Sequence, residues 1–167
     1  MLAEEINNDN LERRELDSHI TKEALDIIIQ DPISTAKYTN VVFKANWHKG
    51  VVGIVASRII EQFYKPTIVL TESNGLISGS ARSVKGFDVY EAISKCEHLL
   101  EQFGGHKYAA GLTMKPENLE KFTAAFEEAT KSTIQKELMT EEQEIDIELD
   151  FSQVYGREEN RMQIPKL

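Results

Sequence analysis

The chain has 167 residues, of which 41% are hydrophobic, so it is long enough for one packed domain with extensions. No segment approaches the roughly 18 apolar residues of a membrane span, and the first residues have no signal-peptide pattern. We therefore expect a cytoplasmic chain with no membrane partner. A single cysteine, Cys96, excludes an internal disulfide and a cysteine-based metal site, and its helical context predicts a packed thiol.

The formal net charge of -9 is unevenly distributed. Residues 1–30 carry three basic and eight acidic side chains, residues 31–133 carry twelve and eleven, and residues 134–167 carry four and nine. Nucleic acid is bound largely through Lys and Arg, so only the middle of the chain suits such a partner. Three stretches there contain no acid and hold the glycine-rich turns, namely 32–60, 73–87 and 102–116. Such turns favour phosphate binding by backbone N–H groups.

The first predicted element is a long helix. Apolar residues recur at mostly helical spacing from Ile6 to Gln30, and the pattern stops at Asp31-Pro32. The apolar stripe is narrow, so this helix cannot bury much by itself. We interpret residues 1–31 as a connector helix from a missing upstream domain. The alternative is a surface helix of the same domain.

Residues 32–136 are predicted to form one domain in which strands and helices alternate. Strand patterns occupy residues 40–46, 66–71, 75–81 and 112–114. Helical patterns occupy residues 51–63, 88–100 and 117–136. The second helix opens with Asp88 and Glu91 at capping-box spacing. The fold class expected is α/β (α+β), a mixed β-sheet flanked by helices and preceded by the long helix.

Two of these elements carry more detailed predictions. In residues 51–63, one helical face is expected to hold Val51, Ile54, Val55, Ile59 and Phe63. Residues 40–71 are expected to form a βαβ-like unit. At the end of the chain, residues 144–151 alternate apolar and acidic side chains, which predicts a half-exposed strand. Residues 137–167 are therefore interpreted as a linker and the first strand of a truncated further domain.

Three turns have residue types suited to phosphate. His48, Lys49 and Gly50 directly precede a helix, whose unpaired N–H groups and positive dipole end would face an anion. The alternative is that Trp47 packs and His48 only lies in a loop. In GSARSVKGF, the hydroxyl and guanidinium groups of the 80–83 stretch match the oxygens of a terminal phosphate. The alternative there is a polar surface turn.

The third turn is FGGHKYAAG. Gly104 and Gly105 would let the backbone approach a phosphate or sugar, and His106 could donate a hydrogen bond beside Lys107. The small residues that follow would let the next segment pack tightly. The alternative is that the paired glycines only end a helix.

The sequence contains no P-loop spacing, no Ser/His/Asp signature and no Cys/His pairing. Its acids lie mostly on helix faces and in the two ends, whereas a two-metal hydrolase needs Asp and His close together. No complete catalytic set and no metal site are expected. The chain is better equipped for binding than for free-standing catalysis.

Three segments, WHKGVVGIVASRI, GSARSVKGFDVYEAI and FGGHKYAAGLTM, resemble the DHHA1 domain of RecJ-type single-stranded-DNA exonucleases in the DHH phosphoesterase superfamily. The resemblance covers about residues 37–133. The NLERRELD helix is similar to the helix that joins the two domains in that family, and the final strand resembles the start of an OB-fold domain.

The resemblance implies that two domains have different roles in the reaction. An upstream DHH domain would hold Mn²⁺ or Mg²⁺ and activate water, while DHHA1 grips single-stranded DNA, preferably with a 5′-phosphate, in DNA repair and recombination. Ser80 and Arg82 would hold that phosphate with Ser83 beside them, His106 would contact the phosphate near the scissile bond, and residues 48–50 would line the cleft. No cofactor is expected in this chain. Because no DHH sequence is present, catalysis by this chain alone is not expected.

Two other classes of function stay open. One is a DHHA1 module of a phosphodiesterase acting on oligoribonucleotides or cyclic dinucleotides. The other is a noncatalytic oligomerisation domain. The leading helix and the final strand favour the RecJ-type interpretation.

Overall fold

The computed structural model describes the backbone of residues 2–134 and the side chains of residues 10–134. Met1–Lys131 form one compact unit. The strand predicted at 144–151, and the whole segment 137–167, lie outside the described residues. No helix in the described part of the chain is both long and apolar enough to cross a membrane.

The centre of the fold is a mixed five-stranded sheet, which confirms the predicted fold class. Its strands are β1 (Asn40–Phe43), β2 (Thr67–Ser73), β3 (Leu76–Arg82), β4 (Gln102–His106) and β5 (Ala109–Met114). They are arranged in the order β1-β2-β3-β5-β4. Strands β1 and β2 are parallel, and the other neighbouring pairs are antiparallel.

Within the described part of the chain, four helices accompany the sheet: α1 (Leu2–Gln30), α2 (Val52–Gln62), α3 (Val89–Ser94) and α4, which begins at Leu119 and is described to residue 134. Helix α1 ends before Pro32, as expected from the loss of a backbone donor there. Helix α2 connects the parallel strands β1 and β2, so the βαβ unit is confirmed.

The helices form two layers. On one face, Ile20, Ala24 and Ile28 of α1 pack with buried residues of α2 and with Val42 and Val69 of the sheet. The C-terminal half of α1 therefore belongs to this core, and its role as a connector stays a prediction. On the other face α3 contacts β4 and β5, and α4 buries Phe122 and Phe126.

Two details of the helices differ from the prediction. Ile54 is 47% exposed, while Val52 and Ala56 are buried instead. The reason lies within α2 itself: consecutive helical residues are about 100° apart, so the buried residues Val52, Val55, Ala56 and Ile59 share one face, and Ile54 lies on the opposite side. Helix α3 ends at Ser94 rather than at residue 100, and a separate 3₁₀ turn follows.

The start of α3 and the burial of the cysteine are as predicted. The Asp88 carboxylate accepts a hydrogen bond from the Glu91 backbone N–H at 2.9 Å, which confirms the N-cap. Cys96 is buried, and burial raises the pKa of its thiol.

The segment FGGHKYAAG is a β-hairpin and not the loop that the paired glycines suggested. Gly104 pairs with Gly111, and Gly105 pairs with Ala110, across strands β4 and β5. Glycine permits the extended backbone of a strand as well as that of a turn. The glycine pair does not end a helix.

Candidate nucleic-acid interface

The registers of strands β3, β5 and β4 create three rows that cross the sheet. Directly paired residues point to the same face, and alternate residues along a strand share that face. The rows are Arg82–Ala109–His106, Ser80–Gly111–Gly104 and Ser78–Thr113–Gln102. Residues far apart in sequence therefore share one surface, with small residues along its middle strand.

A groove of about 520 Å³ lies on this surface. Helix α2 packs against β2 and β3, whereas Gly104 and Gly111 are exposed and form part of the groove floor. The lining residues are Lys49, Val52, Ser78, Gly79, Ser80, Gln102, Phe103, Gly104, Gly111, Leu112 and Thr113. None of these described residues is acidic, so no carboxylate competes with an anion there.

Arg82 lies at one end of the groove, against the first turn of α2. A methyl group placed on Gly53 would be 2.5 Å from Nη2 of Arg82 and 3.5 Å from Oγ of Ser80. The Nη1 atom donates to the Ala81 carbonyl at 2.8 Å. Burial lowers the pKa of Arg82 below its ordinary value, but arginine stays charged near neutral pH. A guanidinium, a hydroxyl and a helix N-terminus thus converge on one place.

The loop before α2 is held from two sides. Trp47 is buried, its indole N–H donates to Glu23 of α1 at 2.9 Å, and its carbonyl accepts from Thr71 at 2.7 Å. His48 follows as the N-cap of the 3₁₀ turn, accepting from the Gly50 N–H at 2.9 Å. Lys49 is exposed and lines the groove. Trp47 therefore packs, and Lys49 still reaches the groove.

The hairpin end carries the remaining predicted residues. Gly105 has φ +140, a conformation that favours glycine. His106 accepts at Nδ1 from the Tyr108 N–H at 3.3 Å, which leaves Nε2 to carry the ring proton and donate. Lys107 Nζ lies 5.5 Å from the centroid of the Tyr108 ring.

The structure brings together four of the ten residues predicted for binding, and His48, Gly50, Gly105 and Lys107 do not line the groove. Lys49, Ser80 and Gly104 line the groove, and Arg82 adjoins it. Ser83 lies apart, because its hydroxyl donates to the Phe87 carbonyl, with the Val84 carbonyl as the alternative acceptor, and closes the turn after β3. His106 is in the same row as Arg82, two strands or about 10 Å away.

Sequence reasoning missed the residues that strand pairing brings to the groove. Ser78, Gln102 and Thr113 form a polar row, and Gly53 permits the approach of Arg82. Successive side chains of a strand point to opposite faces, so the sequence of β3 could have predicted that Ser78 and Ser80 share one face. Nothing in the linear order could have placed Gln102 opposite Thr113.

The described residues do not fit a metal site. No group of three or more His, Cys, Asp or Glu side chains within the described part of the chain is arranged to hold an ion. No chemical step through a metal is therefore assigned to these residues.

The family is decided by a match over residues 35–132 to the DHHA1 domain. The chain belongs to the DHHA1 domain family. The match covers more than half of the sequence and contains the groove, the sheet and all of the residues predicted for binding.

Curated proteins that are similar in sequence to this chain include RecJ from two bacteria. The single-stranded-DNA-specific exonuclease RecJ of Bacillus subtilis is 40% identical over 148 residues, which cover 87% of this chain and 19% of that protein. RecJ of Haemophilus influenzae is 33% identical over 143 residues, covering 81% of this chain and 25% of that protein. The chain thus spans about a fifth to a quarter of the length of these relatives.

Two solved structures of RecJ have the same fold as this chain. RecJ from Thermus thermophilus, in complex with Mg²⁺, has a TM-score of 0.68 and 31% identity, covering 78% of this chain and 20% of that one. A structure of exonuclease RecJ bound to manganese has a TM-score of 0.66 and 30% identity, covering 78% of this chain and 31% of that one. The resemblance to RecJ is confirmed.

Proposed function

We propose that the groove of this DHHA1 domain binds the 5′-phosphorylated end of single-stranded DNA, as the strand-holding part of a RecJ-like 5′ to 3′ exonuclease in DNA repair and recombination. The observation that carries this proposal is the convergence of Arg82 and Ser80 on the first turn of α2. The similarity to proteins named single-stranded-DNA-specific exonuclease supports the choice of ligand.

The chemistry of the site suits a terminal phosphate. Such a phosphate carries more charge and more free oxygens than a phosphodiester, so it gains most from a guanidinium fork, a hydroxyl and backbone donors. Partial burial of Arg82 strengthens its interaction with an anion, because less water screens the charge. The Lys49 ammonium adds a second positive charge on the groove wall.

His106 is proposed to contact the next phosphate along the strand. It is in the same row as Arg82 and about 10 Å away across two strand spacings, with only the methyl group of Ala109 between them. Its Nε2 proton is available for donation to a phosphate oxygen. Strand β5 lies between β3 and β4, and its small residues would let the DNA backbone pass close to the sheet.

Hydrolysis itself is proposed to belong to a DHH domain that holds Mn²⁺ or Mg²⁺ and faces this groove. The described residues would bind, orient and retain the strand while that domain acts on it. In this arrangement DHHA1 binds the strand at a distance from the reacting bond. The binding free energy gained there positions that bond for hydrolysis.

A binding experiment tests the proposal. A 12-nucleotide single strand with and without a 5′-phosphate is titrated with the chain and with its Arg82→Ala and Ser80→Ala variants, at about 50 and about 200 mM salt. We expect the 5′-phosphate to raise affinity about tenfold, and Arg82→Ala to abolish that difference. Lys121→Ala is the matched control, because Lys121 is an exposed cation on α4.

Three results would overturn the proposal. Equal affinity for the two oligonucleotides would remove the 5′-phosphate site. Tighter binding of a dinucleotide than of the 12-nucleotide strand would instead favour a phosphodiesterase module that acts on small nucleotides. Concentration-dependent association of the chain without affinity for either nucleotide would favour an oligomerisation domain.

A further inference from the structure

The row farthest from Arg82 has no role in the binding described so far. Ser78, Thr113 and Gln102 are paired across β3, β5 and β4, and all three line the groove. Their Cβ atoms are about 5 Å apart from strand to strand. They form a continuous polar wall beyond the phosphate-binding residues.

Ser78 is the least explained residue of this row. It is 4% exposed, and its hydroxyl makes no hydrogen bond within the described part of the chain. A buried hydroxyl without a partner is costly, so such groups commonly mark a place where a ligand or ordered water completes the hydrogen bonding. The hydroxyl lies on the groove face of β3, next to Thr113.

The dimensions of the groove exceed those of a phosphate. A volume of about 520 Å³ is within the range of sites that hold small organic ligands. The row also offers both donors and acceptors, from two hydroxyls and one carboxamide. Phosphate oxygens only accept hydrogen bonds, whereas the edges of nucleobases both donate and accept.

The position of the row relative to Ser80 fits one nucleotide. Ser78 is two residues before Ser80 on β3, so the two rows are about 7 Å apart along the strand. This separation resembles the distance between a 5′-phosphate and the base of its own nucleotide.

We infer that the Ser78–Thr113–Gln102 row is a pocket for the nucleobase of the 5′-terminal nucleotide. Gln102 and Thr113 contact the edge of the base, and Ser78 completes the floor. This inference rests on the proposed function, because the terminal phosphate at Ser80 and Arg82 sets the position of the first base.

An abasic substitution tests the pocket directly. The chain is titrated with a 5′-phosphorylated 12-nucleotide strand and with the same strand whose first nucleotide lacks its base. The parent should bind the abasic strand about three- to tenfold more weakly, which corresponds to one or two hydrogen bonds. A variant combining Gln102→Ala with Thr113→Val should bind both strands equally, at the level of the parent with the abasic strand.

Two controls separate a local effect from loss of structure. Gln102 is exposed and valine suits a strand position, so the double variant should keep its dependence on the 5′-phosphate and its thermal unfolding temperature. Gln62→Ala removes a chemically identical, exposed side chain at the C-terminal end of α2 and should change neither affinity.

The outcomes distinguish the two proposals. If the 5′-phosphate matters but removal of the first base does not, or if the abasic loss persists in the double variant, the base pocket is wrong and the phosphate site stands. If the 5′-phosphate has no effect, the proposed function fails, and the base pocket that depends on it fails as well.

Discussion

The guanidinium of Arg82 lies directly against the first turn of α2, where Gly53 leaves room for it. A β-carbon at Gly53 would be 2.5 Å from Nη2 and 3.3 Å from Cζ of Arg82. These atoms belong to the end of a flexible side chain, so they can move away without disturbing the backbone. Gly53 is thus required for the position of the guanidinium and not for the helix.

Gly53→Ala is therefore expected to separate binding from stability. The variant should unfold within about 1 kcal/mol of the parent, because alanine favours a helix more than glycine does. Its affinity for a 5′-phosphorylated strand should fall about tenfold, towards the value for the unphosphorylated strand. Urea unfolding and the oligonucleotide titration measure the two effects, and an unchanged preference for the 5′-phosphate would contradict this role.

The adjacent glycines of the hairpin should respond differently to the same substitution. At Gly105 the backbone has φ +140, and a β-carbon would collide with the Ala109 carbonyl oxygen. At Gly104 no atom lies within 4 Å of such a carbon. We expect Gly105→Ala to lower the free energy of unfolding by about 2 kcal/mol or more and Gly104→Ala to change it little.

Gly104→Ala should instead weaken DNA binding, since a methyl group would rise from the groove floor. Urea unfolding and titration with the 5′-phosphorylated strand compare the two variants. If Gly104→Ala destabilised the chain more than Gly105→Ala, the assignment of these two roles would be reversed. The pair thus provides its own control.

Much of the architecture could be predicted from local patterns. The βαβ unit, the end of α1 before Pro32 and the Asp88 cap follow from apolar periodicity and from the donors that a helix start leaves unpaired. The sequence pattern predicted a strand only at residues 112–114, which is shorter than the observed β5. It begins at Ala109, because pairing with β4 extends it through small residues that carry no strand pattern.

The site was harder to predict, since it depends on strand register. The sequence motifs identified Arg82 and His106 separately, but their common row exists only because both pair with Ala109. Register depends on long-range packing and on turn geometry, which a linear pattern does not contain. The contact between Arg82 and Gly53 has the same origin, as it joins a strand to a helix 29 residues earlier.

Thr71 supports the loop that carries His48 and Lys49. Its buried hydroxyl lies close to the Trp47 carbonyl at 2.7 Å and the Ala45 carbonyl at 3.2 Å, and it can donate to either. Thr71→Val keeps the shape but leaves a buried carbonyl without a donor, so it should lower the free energy of unfolding by about 1 to 3 kcal/mol.

Thr123→Val is the control for this effect, because the Thr123 hydroxyl donates only to the Leu119 carbonyl within its own helix. That helix carbonyl stays bonded when the hydroxyl is removed, so the cost should be under about 0.5 kcal/mol. Urea unfolding compares both variants with the parent. Equal, small effects would show that the loop does not depend on Thr71.

Glu23 should give the stability of the domain a dependence on acidic pH. Hydrogen bonds from Lys44 and then from Trp47 lower the pKa of this carboxyl below its ordinary value. A carboxyl whose folded-state pKa is depressed stabilises the fold above its unfolded pKa, and that stabilisation is lost as the pH falls through the folded value. Asp31 contributes in the same direction, because Lys37 and the Ile33 N–H lower its pKa.

The comparison of the parent with Glu23→Gln isolates the first of these carboxyls. The parent should be more stable than the variant at about pH 6, and the difference should shrink as the pH is lowered from there through the folded-state pKa of Glu23. Glu15→Gln, an exposed change on the same helix, should not show this convergence. Thermal unfolding across this pH range measures the difference, and a constant gap between parent and Glu23→Gln would mean that the carboxylate charge does not hold α1 to Lys44 and Trp47.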